Sequence, residues 1–453
     1  MIKKLQLHDL GPVPDLSAEF GQRLNLFTGD NGLGKTFLLD VCWYALTNTW
    51  ANGRMILPNS SSHHGLEESP EILFSVVGSD SALLNEPARY LHFDFKKYRW
   101  DKQIFESGNR NSFVIYARVD GGFSIWDPER NVDDEYDDPN GPRSFPSGAT
   151  NLASFDFSRR ELWEGLTTTN KSGERKTICN GLLRDIETWR LKSNGAFAHL
   201  QRTLKGLSAS EPETLRIGKA VRTNLDSVDE IPTLKLPYGN VPITMAAAGM
   251  KRILSLAYLI VWAWEEHRKA CRLRKQKPSN RIVLLFDEIE SHLHPKWQCV
   301  FLPALLSTLE SLGGDSRKID VQILVTTHSP LILGSVESKW QEETDALFDF
   351  DLQGQTVAFQ QRPFAKHGNV GHWLCSHAFD LSSAYPLAAE KAMKDADTYM
   401  RKNPHPNQAD SSVVAELHEA LKETLGSDDE YWAFWQAYYD KATGPRMMGG
   451  GFE

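Results

Sequence analysis

The stretch "LNLFTGDNGLGKTFLLD", residues 24–40, constrains the chain more than any other. An apolar run enters Gly29-x4-Gly34-Lys35-Thr36, and an apolar helical pattern leaves it at once. A strand, a glycine-rich turn and a helix in that order are the context in which this spacing makes a phosphate loop. The glycines let the backbone fold tightly, so that its N–H groups can face phosphate oxygens, and the helix adds its positive N-terminal end. Gly29, Asp30, Asn31, Gly32, Leu33, Gly34, Lys35, Thr36 and Phe37 form the expected nucleotide-binding set. Within it, Lys35 would neutralise β/γ-phosphate charge and Thr36 would offer its hydroxyl to Mg2+. A chance glycine turn is the alternative, and the flanking strand and helix argue against it.

Two distant segments give the loop its partners. "RIVLLFDE", 281–288, is a continuous apolar strand ending in Asp287 and Glu288, as expected of a buried parallel strand with chemistry at its carboxyl end. Asp287 would hold Mg2+, and Glu288 would polarise the water that attacks the γ-phosphate. Taken alone, the same residues read equally well as a core strand leading into a charged turn. "VQILVTTHSPLIL", 321–333, is a second buried strand with His328 at its end, placed to contact the γ-phosphate. A lone histidine after a strand is more often structural, but three pieces in this order favour the catalytic role. His292 and His294 in "ESHLHP" then belong to the turn after the acidic strand, since a transition-metal site would need a third ligand that the sequence does not offer.

Bulk properties narrow the class. A chain of 453 residues can hold two or three cores. Its 41% hydrophobic and 10% aromatic content fits a globular protein. A net charge of -9 argues against a surface that coats nucleic acid, although a local basic stripe remains open. Apolar stretches such as "ILSLAYLIVWAW" stop short of the roughly 20 residues a membrane span needs. The opening "MIKKLQLHDL" alternates like a strand, unlike a signal peptide. Five cysteines without a CxxC pair suggest free thiols in a reducing cytoplasm.

The patterning places β-rich sequence at 70–127, a solvated acidic loop at 131–148 and a mostly helical section at 150–235. It continues with a helix at 250–275, strands at 281–286 and 320–326 flanking a helix at 295–312, and a β-like piece at 345–360. Three helical segments follow after about 380, the last opened by a capping box from Ser427 to Glu430. "HRKACRLRKQKPSNR", 267–281, carries seven Lys or Arg and could touch DNA or RNA phosphates, but a solvated helix end explains it as well. In "SDDEYWAFWQAYYDK", 427–441, crowded aromatics read as core packing first and a partner contact second.

These motifs resemble the ABC-type ATPases of the SMC, double-strand-break-repair and OLD group. They are most similar to small prokaryotic AAA-family proteins with "DExExHLHP" and "TTHSP". The resemblance implies an α/β fold: a P-loop ABC-type ATPase head with a mixed β-sheet, a helical insertion and a helical C-terminal tail. Its divisions would be 1–150, an N-terminal lobe with the P-loop and a β-rich subdomain; 151–240, the helical insertion; 241–365, a C-terminal lobe; and 366–453, the helical region. It further implies that two heads pair head-to-tail around two ATPs, each site combining one P-loop with the other copy's signature motif. That motif falls on "TMAAAGMKRILSLAYLI", so Ala247, Gly249 and Lys251 would meet the partner's nucleotide, with Arg252 adding charge. Ala247 stands where the group carries Ser, which removes a hydrogen bond of about 0.5–1.5 kcal/mol net and implies slow turnover. Gln103 is the candidate for the glutamine loop.

The tail resembles stand-alone ATPases encoded beside an effector in antiphage systems of the Septu, retron and PARIS types. The expectation is a cytoplasmic ATP- and Mg2+-dependent ATPase, a homodimer or higher homo-oligomer, that controls a separate effector, a nuclease. Two alternatives remain: a DNA-maintenance ATPase acting on DNA directly, and a nucleotide-locked scaffold.

Overall fold

The structure is a computed structural model. It describes residues 1–13, 15–58, 70–77, 89–101, 112–131, 154–169, 173–192, 195–208, 214–226, 228–313, 318–379 and 381–444. The acidic run from 132 onward and Gln103 lie outside the described residues. The chain divides into two compact units, Met1–Trp373 and Leu374–Glu453.

The first unit is built on an eight-stranded sheet. Its strands run, edge to edge, Thr356–Arg362, Asp345–Gln353, Leu24–Gly29, Asp320–Thr326, Arg281–Phe286, Ser112–Ala117, Phe123–Trp126 and Phe155–Phe157. The five from Asp345–Gln353 to Ser112–Ala117 pair in parallel, and antiparallel strands close both sides, so the sheet is mixed. Register places the P-loop strand in the middle: Thr326 pairs with Phe27, and Phe286 with Val325. The central strands are β-branched or large apolar and buried at nearly every position, as a sheet covered on both faces requires.

Helix Lys35–Thr47 leaves the P-loop and is buried on nearly all sides, from Leu38 to Thr47. A helix apolar all round needs cover on every face. A second, antiparallel sheet led by Ile2–His8 shares one core with this helix and the main sheet, through Leu5, Leu7, Trp43, Phe74 and Leu285. The 27-residue helix Ala248–Arg274 and the helix Pro295–Glu310 complete the unit.

The section 151–240 holds helices Arg159–Glu164, Leu182–Lys192 and Ala196–Gly206, and also short antiparallel hairpins such as Leu166–Thr169 with Arg175–Cys179. Thr167, Thr168 and Thr169 are β-branched and exposed or half-buried, which suits a two-stranded ribbon better than a helix.

The second unit packs helices Leu387–Lys402, Ser411–Thr424 and Tyr431–Thr443 around Trp435, Ala389, Ala392, Ala396 and Leu421. The aromatic-rich segment is therefore core-forming, with Phe434 left exposed. The expected capping box does not form. The last helix begins only at Tyr431, with Glu430 in place of Ser427 as its N-cap residue, and Asp429 Oδ1 accepts from the Tyr431 N–H at 2.9 Å while Glu430 is already helical in φ and ψ. The shorter Asp side chain closes an i+2 turn before Ser427 can reach the N3 position.

Candidate functional site

The carboxyl ends of three neighbouring strands deliver the site, as open parallel sheets do. Gly29 ends one, Asp287 follows Phe286 on the next, and Thr327 and His328 follow Thr326 on the strand between them. Asn31, Gly32, Gly34, Lys35, Thr36, Phe37, Asp287, Glu288 and His328 line a single cleft of about 200 Å³. The distant segments singled out in the sequence thus meet at one place.

Two P-loop glycines cannot be replaced without strain. Gly29 has φ +117°, and a Cβ there would lie 2.1 Å from the Phe350 carbonyl oxygen; Gly34 has φ +108°, with Pro12 at 2.5 Å. Gly34 also caps helix Lys35–Thr47 without any side-chain hydrogen bond, and the first turn holds no acid. The first N–H groups of that helix are therefore available, together with its positive pole, to an anion in the cleft.

Lys35 Nζ turns back onto its own loop, donating to the carbonyls of Gly29 at 2.8 Å and Asp30 at 2.7 Å. Burial lowers its pKa, and the carboxylates of Asp287, Glu288, Asp30 and Glu290 oppose that shift. The ammonium is thus desolvated beforehand and ready to exchange carbonyls for phosphate oxygens.

Thr36 Oγ1 donates to Asp287 Oδ2 at 2.8 Å. Thr326 Oγ1 donates to the other oxygen, Oδ1, at 2.7 Å and itself accepts from the Glu288 N–H at 2.8 Å. A hydroxyl and a carboxylate in contact, beside a loop suited to phosphate, are the oxygen donors a hard cation such as Mg2+ takes. The residues present fit that group.

Glu288 sits at φ +48°, a left-handed conformation uncommon outside glycine. Glu290 fixes the third strand's end: its Oε2 accepts from Thr327 Oγ1 at 2.7 Å and its Oε1 from the His328 N–H at 2.6 Å. Burial, aided by the cation of Lys35, lowers the His328 pKa. His294 caps helix Pro295–Glu310 by accepting from the Lys296 N–H, and His292 lies in the preceding turn at φ +65°.

Ala247, Gly249 and Lys251 do not line this cleft. Ala247 and Ala248 are exposed at the start of helix Ala248–Arg274, where Ala247 caps without a side-chain bond. Ala248, Lys251 and Arg252 line a separate depression with Arg159 and His292. Gly249 is buried against the turn after the acidic strand, where a Cβ would lie 2.6 Å from the His292 carbonyl oxygen. The glycine has a packing reason within its own chain.

Sequence reading missed Thr326 and Glu290, which hold the ends of these strands together. The signal was present, in the doubled Thr of "TTHSP" and the third acid of "DEIE". It also missed Asp40, whose carboxyl is pushed up to about 6, chiefly by burial and further by Asp287, while a bond with Tyr116 and the charges of Arg54 and Arg118 oppose the shift.

The pattern of the family described as "AAA domain, putative AbiEii toxin, Type IV TA system" matches residues 24–334. "Retron Vc95 probable ATPase" of Vibrio cholerae serotype O1 biovar El Tor is 31% identical over 87 residues, 19% of this chain and 15% of that protein. "Septu protein PtuA" of Bacillus thuringiensis is 22% identical over 336 residues, 73% of this chain and 72% of that one. The matched stretches span only 15% and 23% of the length of two retron relatives. Among solved structures, the SMC head domain from Thermotoga maritima aligns over 80% of this chain and 99% of its own, at 12% identity and a TM-score of 0.32.

Proposed function

The chain belongs to the AAA-domain family of the AbiEii, type IV TA system description, and from that premise we propose that it is a Mg2+-dependent ATPase serving antiphage defence. It pairs with a second copy through ATP and controls a separate effector, a nuclease. The observation that carries this reading is the convergence of Lys35, Thr36, Asp287, Glu288 and His328 on one cleft. The retron and Septu names of its relatives support the defence setting.

In this reading the freed N–H groups of the Lys35 helix and the Lys35 ammonium bind the β- and γ-phosphates. Thr36 and Asp287 hold Mg2+, which supplies charge neutralisation to the phosphates when bound. Glu288 accepts a proton from the attacking water, and His328 donates toward the γ-phosphate. Ala247, Gly249 and Lys251, exposed or packed away from their own chain's cleft, serve the partner's nucleotide. With no hydroxyl at Ala247, that half of the site depends on backbone N–H groups and Lys251, which supports slow turnover and leaves a nucleotide-locked scaffold as the second reading. Direct DNA contact through 267–281 has less support, because Arg268 pairs with Glu265, Lys269 with Glu266 and Arg274 with Glu129.

Phosphate release and sedimentation of the native chain and Glu288→Gln, each with Mg-ATP, test the proposal. Loss of the base should slow release about 100-fold or more and leave the variant as an ATP-dependent dimer or larger assembly. A variant as fast as a native chain that hydrolyses ATP, or one that stays monomeric with ATP, would refute it. An equally slow native chain that still assembles would select the scaffold.

A further inference from the structure

Arg252 lies at the start of the second turn of helix Ala248–Arg274. Its Nε and Nη2 are buried and have no hydrogen-bond partner among the described residues. The guanidinium carbon lies 5.4 Å from the ring centroid of Phe286, the last residue of the acidic strand. Burial lowers the Arg252 pKa, with Arg159 adding to the effect, while Asp287, Glu288 and Glu290 all oppose it. A half-buried cation therefore stands over the Phe286 ring, in the field of three carboxylates, and hydrogen-bonds none of them.

Two of those carboxylates are already engaged. Asp287 accepts from Thr36 and Thr326, and Glu290 from Thr327 and the His328 N–H. The Glu288 carboxylate accepts no hydrogen bond among the described residues, and its backbone is held at the strained φ of +48°. An unsatisfied, buried guanidinium destabilises a fold, and an unbranched apolar side chain would fill similar space without that penalty. Stability alone does not explain Arg there.

We propose that Arg252 is a positioning residue whose guanidinium, when nucleotide is bound, donates to the Glu288 carboxylate and fixes it on the attacking water. The inference rests on Glu288 being the general base. It has a consequence for the pair of sites. The start of the Arg252 helix is the part of the chain offered to the second copy's nucleotide, so its placement is passed through Arg252 to the base beside the chain's own nucleotide.

Steady-state phosphate release over a range of ATP concentrations, and thermal unfolding without nucleotide, should be measured on the full chain, Arg252→Met and Arg252→Lys. For Arg252→Met the expected result is a kcat lower by about 10- to 100-fold, the scale of a misplaced catalytic group, with KM near the native value and Tm no lower than native. Arg252→Lys, which keeps the charge, should recover part of the kcat. A Met variant with native kcat overturns the assignment. So does one whose Tm falls along with kcat, or a Lys variant no faster than Met. Failure of the base reading is recognised separately, from a native chain that does not hydrolyse ATP or a Glu288→Gln chain that does so at the native rate.

Discussion

Thr326 illustrates how much of the site is arranged by single side chains that never touch substrate. Its one hydroxyl bridges the Asp287 carboxylate and the Glu288 N–H, so the residues proposed to hold the metal and to act as base share a support. Residues with a fixed sequence spacing, such as Lys35 and Thr36, are legible because the phosphate loop is contiguous. The supporting roles of Thr326, Glu290 and Arg252 are not, since their partners lie 37 to 39 residues away or act only through their fields. Asp40 gives a test at this scale. Its folded pKa of about 6 lies above the ordinary 3.8, so its contribution to stability is fully present below the ordinary value and is lost as pH rises through about 6. Asp40→Asn should therefore stabilise the nucleotide-free chain at pH 8 by on the order of 1–3 kcal/mol, with little gain near pH 4. Denaturant unfolding at the two pH values measures this; an equal effect at both would contradict it.

The elements themselves are largely readable, because apolar strands and helices carry different periods. "RIVLLF" and "VQILVT" are strands within a residue of their expected bounds, and the long helix proposed to carry the signature runs from Ala248 to Arg274. What periodicity does not carry is the packing between elements. Sequence reads Gly249 for its phosphate-facing backbone, yet the structure shows it pressed on the His292 carbonyl, and a methyl group on its Cα would also lie 3.4 Å from the Trp297 ring. That contact locks the long helix to the turn after the acidic strand. Gly249→Ala should therefore cost about 1–3 kcal/mol, the usual penalty of overpacking, in denaturant unfolding without nucleotide. Native stability would show that the turn yields freely. The short ribbons within 151–240 are illegible for another reason: strands of two to five residues are too brief to establish a period.

At the scale of the molecule, the proposed chemistry draws on two different surfaces of the chain. The cleft of Lys35, Asp287 and His328 and the depression of Ala248, Lys251 and Arg252 are lined by separate residues. The second unit, Leu374–Glu453, has its own core around Trp435 and carries no residue assigned to the chemistry. No described helix is long and apolar enough to cross a membrane. Every role proposed for these residues depends on the cleft taking Mg-ATP. Calorimetric titration of Mg-ATP into the native chain and Lys35→Ala tests this most directly. The prediction is saturable binding to the native chain, weakened by about 100-fold or more when the buried ammonium is lost, the scale of one charge-assisted contact. Native and variant chains that bind alike, or a native chain that does not bind at all, would contradict it.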